Sequence, residues 1–288
     1  MKGPSLIDRI LVAWLRQNWR GFSTLHRCWT QRGGRRLVTI RTTYGNLVAL
    51  DPFSYIDRIV LQSGYYESEV LEALRPHLGT GAVLWDIGAN IGLHAITAKF
   101  ISPETRVIAF EPSPTMLGRI AENQELSAVA IETCPIALGA EAQYAKLHLS
   151  GAGNPGMTTL KPWSEARYES TMMVWCDRAD NLARSGELPE PTVVKIDVEG
   201  FETEVLDGFG KLLEQTSLKL VVFEAEPGLT EANNDHAVAK RLRGAGFTLR
   251  ALGRREATDH NLQNYAAERL QSEYETPPGM TDPRVPNA

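Results

Sequence analysis

The sequence has no apolar run approaching the roughly 20 residues that a membrane-spanning helix needs. The longest near the start, residues 10–15, is too short for the core of a typical secretory signal, and no small-residue cleavage site accompanies it. Cysteine is scarce. Cys28, Cys134 and Cys176 are odd in number, scattered, and in no Cys-x-x-Cys or Cys/His metal spacing. This argues against a disulfide framework and suits thiols as small core residues in a reducing compartment. Together these absences point to a cytoplasmic protein. Internal repeats are also missing, and 43% hydrophobic and 23% charged residues over 288 positions are ordinary globular composition.

Charge is unevenly spread. Residues 1–41 hold nine Lys/Arg against the single acid Asp8, a balance of +8, which leaves −13 for the rest of a chain whose net charge is −5. An acidic body with a basic leader is no general polyanion binder, so no nucleic-acid partner is expected of the body. In the leader, Ser5 and Asp8 have capping-box spacing. Leu6, Ile7, Ile10, Leu11, Trp14, Leu15, Trp19, Phe22 and Leu25 recur at helical spacing, with arginines mostly between them. This predicts a basic amphipathic helix over 1–35, ending before Gly33-Gly34. Its apolar face is expected to pack on the body or on a second subunit in a homodimer. The alternative is peripheral contact with an anionic membrane at the inner face.

Residues 36–80 read as a hairpin around Tyr44-Gly45-Asn46 and a helix over 67–78, packed on the core. From 81 to 270 short apolar runs (82–87, 106–110, 128–133, 192–197, 218–224) alternate with helical stretches (91–101, 115–127, 230–243). Strands are also expected at 146–150, 171–176, 247–252 and about 262–266. Continuous apolar strands alternating with helices mean an α/β fold, a parallel sheet covered on both faces. Residues 271–288, rich in Pro, Glu and Asn, are expected to be a disordered tail.

Ligands of open parallel sheets bind at the carboxyl ends of the strands. Here those ends carry carboxylates: Asp86, Glu111, Asp197 with Glu199, and Glu224 with Glu226. After Asp86 comes Gly88-Ala89-Asn90-Ile91-Gly92. The glycines allow a tight turn and close backbone approach, and Asn90 can cap the helix that follows. A dinucleotide site would need Gly-x-Gly-x-x-Gly, and Asn90 and Leu93 stand at its second and third glycines. Asp86 would oppose a pyrophosphate but suits the ammonium of an amino-acid moiety, and Glu111 is placed to take two ribose hydroxyls. A phosphate-free ligand with a ribose, a positive charge and an amino acid is S-adenosyl-L-methionine.

VLWDIGANIG, then AFEPSPTMLGRIAENQEL, VVKIDVEGFETEVLDG and VVFEAE resemble the FkbM-type methyltransferase family, over about residues 64–250. The resemblance implies a class I methyltransferase (Rossmann-like) fold, a mostly parallel seven-stranded sheet with helices on both faces. It also implies S-adenosylmethionine-dependent O-methylation of a hydroxyl on a sugar, glycan or secondary metabolite. By that resemblance Asp86, Gly88, Ala89, Asn90 and Gly92 shape the cofactor loop, Glu111 and Pro112 follow at the second strand, and Asn123 lies in the matching motif of the second helix. Asp177, in VWCDRADNL, matches a strand that ends in aspartate.

Methyl transfer to an alcohol needs an aligned acceptor and gains from a base. Lys195, Asp197 and Glu199 fall at alternate positions of one strand and its bend, so they are the catalytic candidates. Asp197 or Glu199 is the expected base, and Lys195 a partner to a carboxylate or to the developing alkoxide. A magnesium ion between Asp197 and Glu224 is the alternative that Lys195 disfavours. His94 is expected to be a core or cofactor-side residue. The irregular stretch 151–169, with Trp163 and Tyr168, is a candidate lid. Rival readings are an N- or C-methyltransferase on a macromolecule, against which stands the missing Asn/Asp-Pro-Pro-Tyr/Phe motif, and an inactive cofactor-binding module at a membrane.

Overall fold

The structure is a computed structural model that describes residues 6–16, 37–151, 155–163, 167–227, 229, 236–253 and 262–269. Helix α1 (Leu6–Arg16) precedes a hairpin of β1 (Val38–Arg41) and β2 (Leu47–Leu50) and the helices α2 (Tyr55–Ser63) and α3 (Ser68–Leu74). Then come β3 (Val83–Ile87), α4 (Leu93–Ile101), β4 (Arg106–Phe110), α5 (Pro114–Ser127) and β5 (Glu132–Cys134). A second group is β6 (Ala137–Leu138), β7 (Gln143–Ser150), β8 (Tyr168–Asp177) and α6 (Ala179–Ser185). The chain finishes with β9 (Val193–Ile196), α7 (Glu202–Phe209), β10 (Leu220–Ala225), α8 (Ala237–Gly244), β11 (Thr248–Ala251) and β12 (Gln263–Glu268).

Seven strands form one sheet in the order β11-β12-β10-β9-β3-β4-β5, and only β12 runs against its neighbours. This is the class I methyltransferase sheet expected from the sequence. The chain runs outward from β3 to β5 and returns to place β9 on the other side of β3. That reversal opens a crevice at the carboxyl ends of β3 and β9.

Both faces of the sheet are covered, which explains why its strands are continuously apolar. Leu84, Val107, Val193, Leu220 and Val222 pack with the hairpin and α2 to α5. Trp85, Ile87, Ile108, Phe110, Val194 and Phe223 pack with α6 to α8. Trp85 is fully buried, 5.0 Å from Phe110 and 6.1 Å from Phe209 between ring centroids. Helix α1 rests Leu11 and Val12 against the first of these cores and leaves Leu6, Ile7 and Ile10 exposed. No helix among the described residues is long and apolar enough to cross a membrane. The expected continuation of the leader to residue 35, Cys28 and the expected tail lie outside the described residues.

The hairpin is tied to the sheet through α5. Arg119 Nη2 donates to Ala49 O (2.7 Å) and to Asp57 Oδ2 (2.9 Å), and Asp57 Oδ2 also accepts the Asp51 N–H (2.7 Å). Asp57 is buried, so removing its cation leaves an uncompensated charge, which costs about 3–5 kcal/mol. Arg119→Ala is expected to lower the unfolding free energy by that amount in a urea titration, whereas the exposed Arg75 can be replaced with a change within about 0.5 kcal/mol.

Two expectations, at 128–133 and 151–169, need correction, and the strands expected at 146–150 and 171–176 form and prove longer. The apolar run 128–133 is not a strand from its start. Ala128 leaves α5 in the left-handed region (φ 52°), Val129 N–H returns to Gln124 O, and Ile131 N–H to Gln124 Oε1, so pairing begins at Glu132. The stretches 146–150 and 171–176 are parts of longer strands, which form with β6 a separate three-stranded sheet. The described part of the stretch 151–169 is less irregular than expected. It carries a turn of 3-10 helix at Pro155–Met157 and an antiparallel bridge from His148 to Thr159, and from Tyr168 onward it belongs to β8.

Candidate active site

The glycine loop follows β3 directly. Gly88 (φ 78°) and Gly92 (φ 77°) adopt the left-handed region that side chains disfavour. A Cβ on Gly88 would stand 1.9 Å from Asp197 O, so this glycine lets the ends of β3 and β9 touch. Asn90 is also left-handed (φ 53°), but it does not cap α4 as expected. Gly92 occupies the N-cap, and no side chain caps the helix from there. Asp86 reaches the helix instead, its Oδ2 accepting the Ala95 N–H (3.1 Å). Asn90 Oδ1 is buried without a hydrogen-bond partner among the described residues.

Parallel register places Asp86 beside Lys195 on the neighbouring strand. Lys195 Nζ lies 3.3 Å from Asp86 Oδ1 and 3.1 Å from Asp197 Oδ2. Both Asp86 and Lys195 are buried. Burial works against the lysine's charge, yet Asp197, Asp86 and Glu67 outweigh it and hold the ammonium well above the ordinary lysine range. Of the expected trio, the structure brings Lys195 and Asp197 together and leaves Asp197 about one-third exposed. Glu199 breaks the alternation of the strand with φ 56°. Its carbonyl accepts the Thr159 hydroxyl and the Trp163 indole N–H, both at 3.0 Å, so the 155–163 segment is strapped onto this bend.

Two clefts meet at Asp197 and Glu199. The first, open to solvent, spans about 720 Å³ beside the glycine loop. Glu111 sits on its wall, with Oε2 accepting the Asn90 N–H (2.9 Å) and Oε1 the Ser113 N–H (2.8 Å). Burial pushes Glu111 up to about 7 against those two bonds, which favour the charged form. Pro112, Met116, Ile136, Leu147 and Phe201 supply apolar walls. The second cleft, about 610 Å³, is lined by Glu67, Glu224, Tyr55, Tyr66 and Trp163 besides the shared carboxylates. Burial, with repulsion from Asp197, pushes Glu67 up to about 7, Glu199 to about 8 and Glu224 to about 9. No Lys, Arg or His is among the described residues that line either cleft.

Other candidates fall elsewhere. Asn123 is fully buried behind the loop, accepting the Ala49 N–H (2.8 Å) and donating to Ile91 O (3.0 Å), so it braces the loop against the hairpin. His94 is buried edge-on to Tyr65, and burial pushes it down to about 4, leaving a neutral ring. Asp177 lines neither cleft. It accepts from Arg178 N–H, Asn181 and Trp175 at the turn into α6. Among the described residues no three His, Cys, Asp or Glu side chains are grouped to hold a metal. Glu67 and Tyr66 were not picked out in sequence. Their place depends on Glu67 taking a left-handed angle (φ 50°) ahead of α3, which nothing local in Gly-Tyr-Tyr-Glu-Ser announces.

Comparison with known proteins finds the methyltransferase FkbM domain matched over residues 86–249. The hexuronic acid methyltransferase AglP of Haloferax volcanii is 31% identical over 199 residues, covering 66% of this chain and 77% of that protein. Methyltransferase sdnD of Sordaria araneosa is 26% identical over 179 residues, covering 52% and 69%. Among solved structures, a precorrin-6y C5,15-methyltransferase from Geobacter metallireducens aligns over 70% of this chain and 87% of its own. The TM-score is 0.43 and the identity 19%.

Proposed function

The chain belongs to the FkbM methyltransferase family, and we propose that it moves the methyl group of S-adenosyl-L-methionine to a hydroxyl of a sugar-like acceptor. The observation that carries this reading is the pair of clefts joined at Asp197 and Glu199. One is chemically suited to the cofactor and the other to the acceptor.

The first cleft fits the cofactor. A carboxylate has about four acceptor sites, and Glu111 uses two on backbone N–H groups, which leaves capacity for two ribose hydroxyls. The apolar walls suit an adenine ring. The absence of basic side chains among its described lining suits a ligand that is cationic and carries no phosphate. Asn90 Oδ1, orphaned in the protein alone, is an acceptor for that ligand. Gly88 keeps the loop low enough for the backbone to approach it. The buried Asp86–Lys195 pair fixes the floor, so Asp86 acts by holding α4 and Lys195 in place.

When bound, the cofactor supplies a methyl group on a sulfonium. The protein's part is to align the acceptor oxygen and take its proton. Alignment is worth up to roughly 7–11 kcal/mol. Glu199 is the base, because it faces both clefts and its raised pKa of about 8 matches the working range of a base. Asp197 orients the hydroxyl, with Lys195 holding its other oxygen. Trp163 and Tyr66 offer faces to a sugar ring. A relative named for methylating hexuronic acid supports a sugar acceptor. Two clefts lined with carboxylates disfavour a nucleic acid, and the intact loop disfavours an inactive module. The test is incubation with methyl-labelled cofactor and a panel of monosaccharides and glycosides, read by mass and by NMR of the product. An O-methyl ether on a sugar is the expected product, and a methyl ester, or label confined to nitrogen or carbon of a macromolecule, would overturn the reading.

A further inference from the structure

The second cleft, taken as the acceptor site on the reading above, has a composition that narrows the acceptor further. Four carboxyl groups from three separate parts of the chain line it: Glu67 before α3, Asp197 and Glu199 after β9, and Glu224 on β10. Among the described residues no cation lines the cleft, and Lys195 is already held between Asp86 and Asp197. Glu67 is hydrogen-bonded to the Asn264 side chain, and among the described residues the four acids form no metal-binding group. Tyr55, Tyr66 and Trp163 complete the walls. Aromatic faces beside carboxylates are the surroundings in which a protonated amine is favourably held. A bound ammonium favours the ionised form of these acids, whereas a carboxylate in the same place meets Asp197 and a group of acids that its charge holds protonated.

We propose that the acceptor bears a protonated amine beside its reacting hydroxyl, as an amino sugar does, and that Glu67 and Glu224 anchor that ammonium. This departs from the hexuronic acid in the relative's name. The amine stays unmethylated: the hydroxyl oxygen gains the methyl, Glu199 gains the hydroxyl proton, and the sulfonium leaves as a neutral thioether.

Three probes that differ only at carbon 6 separate the cases: glucose, its 6-amino analogue and glucuronate. Each is titrated into the full chain saturated with S-adenosylhomocysteine, with binding read by saturation-transfer NMR. The amino sugar is expected to bind about tenfold or more tighter than glucose, and glucuronate more weakly than either. In Glu224→Gln, whose folding is checked by its melting temperature, the amine preference falls several-fold. Equal binding of the three, no binding by any of them, or a preference for glucuronate overturns the proposal. So does an amine preference that vanishes when the sulfonium-bearing cofactor replaces its product, since the sulfonium is then the cation the acids serve. Failure of S-adenosylhomocysteine itself to bind is a different result and counts against the methyltransferase mechanism.

Discussion

Glu199→Gln is expected to lower kcat by about 10²–10⁴-fold while S-adenosylhomocysteine affinity stays within a few-fold, because a positioned base contributes about that much to proton transfer. The substitution keeps the shape and the strained backbone but removes the proton acceptor where the two clefts meet. Its pH dependence is the more telling sign. A base works in its ionised form, and burial together with Asp197 pushes Glu199 up to about 8. With cofactor and acceptor both saturating, the wild-type kcat is therefore expected to climb as pH rises from about 6 through about 8 and then level off. The Gln variant is expected to lose that rise. If the profile survives in the variant, the base is another group, and Asp197 becomes the first candidate.

The second large effect concerns Glu111. A hydrogen bond to a charged group contributes about 1.5–3 kcal/mol, so losing two ribose contacts weakens cofactor binding by about 3–6 kcal/mol, or about 10²–10⁴-fold. Glu111→Ala also releases the Asn90 and Ser113 N–H groups, so part of its loss comes from the loop. Glu111→Gln separates the two contributions. It keeps one carbonyl acceptor and the length of the side chain, and is expected to fall between wild type and Ala. Protonation has the same direction. Burial holds Glu111 at about 7, so affinity is expected to weaken as pH drops below that value.

Much of this arrangement was legible in the sequence, for a physical reason. Strand ends that carry carboxylates and a glycine-rich turn are local features, and the sheet order brings Asp86, Glu111 and Asp197 toward one crevice whatever else the chain does. What was not legible depends on contacts between distant segments. Asp86 reads as a ligand group from its position, but the register of β3 with β9 sets it beside Lys195, and both are buried. Asn90 reads as a helix cap, but its left-handed backbone leaves Gly92 in that role. Asn123 matches a family motif, yet both of its bonds go to backbone of the hairpin and loop. Glu67 and Tyr66 enter the second cleft only because the chain before α3 turns through an unusual angle. The apolar run at 128–133 shows the same limit at smaller scale. Its residues favour a strand, but leaving α5 consumes the first four in a turn.

The central claim is that the cleft beside the glycine loop holds S-adenosylmethionine with Glu111 on its ribose. The most direct measurement is calorimetric titration of S-adenosylhomocysteine into wild type, Glu111→Gln and Glu111→Ala, with and without EDTA. Micromolar binding by wild type, weakened stepwise through Gln to Ala and unchanged by EDTA, is the expected result. Wild-type binding that Glu111→Ala leaves intact would contradict the placement of the ribose, and no binding by wild type would contradict the cofactor itself.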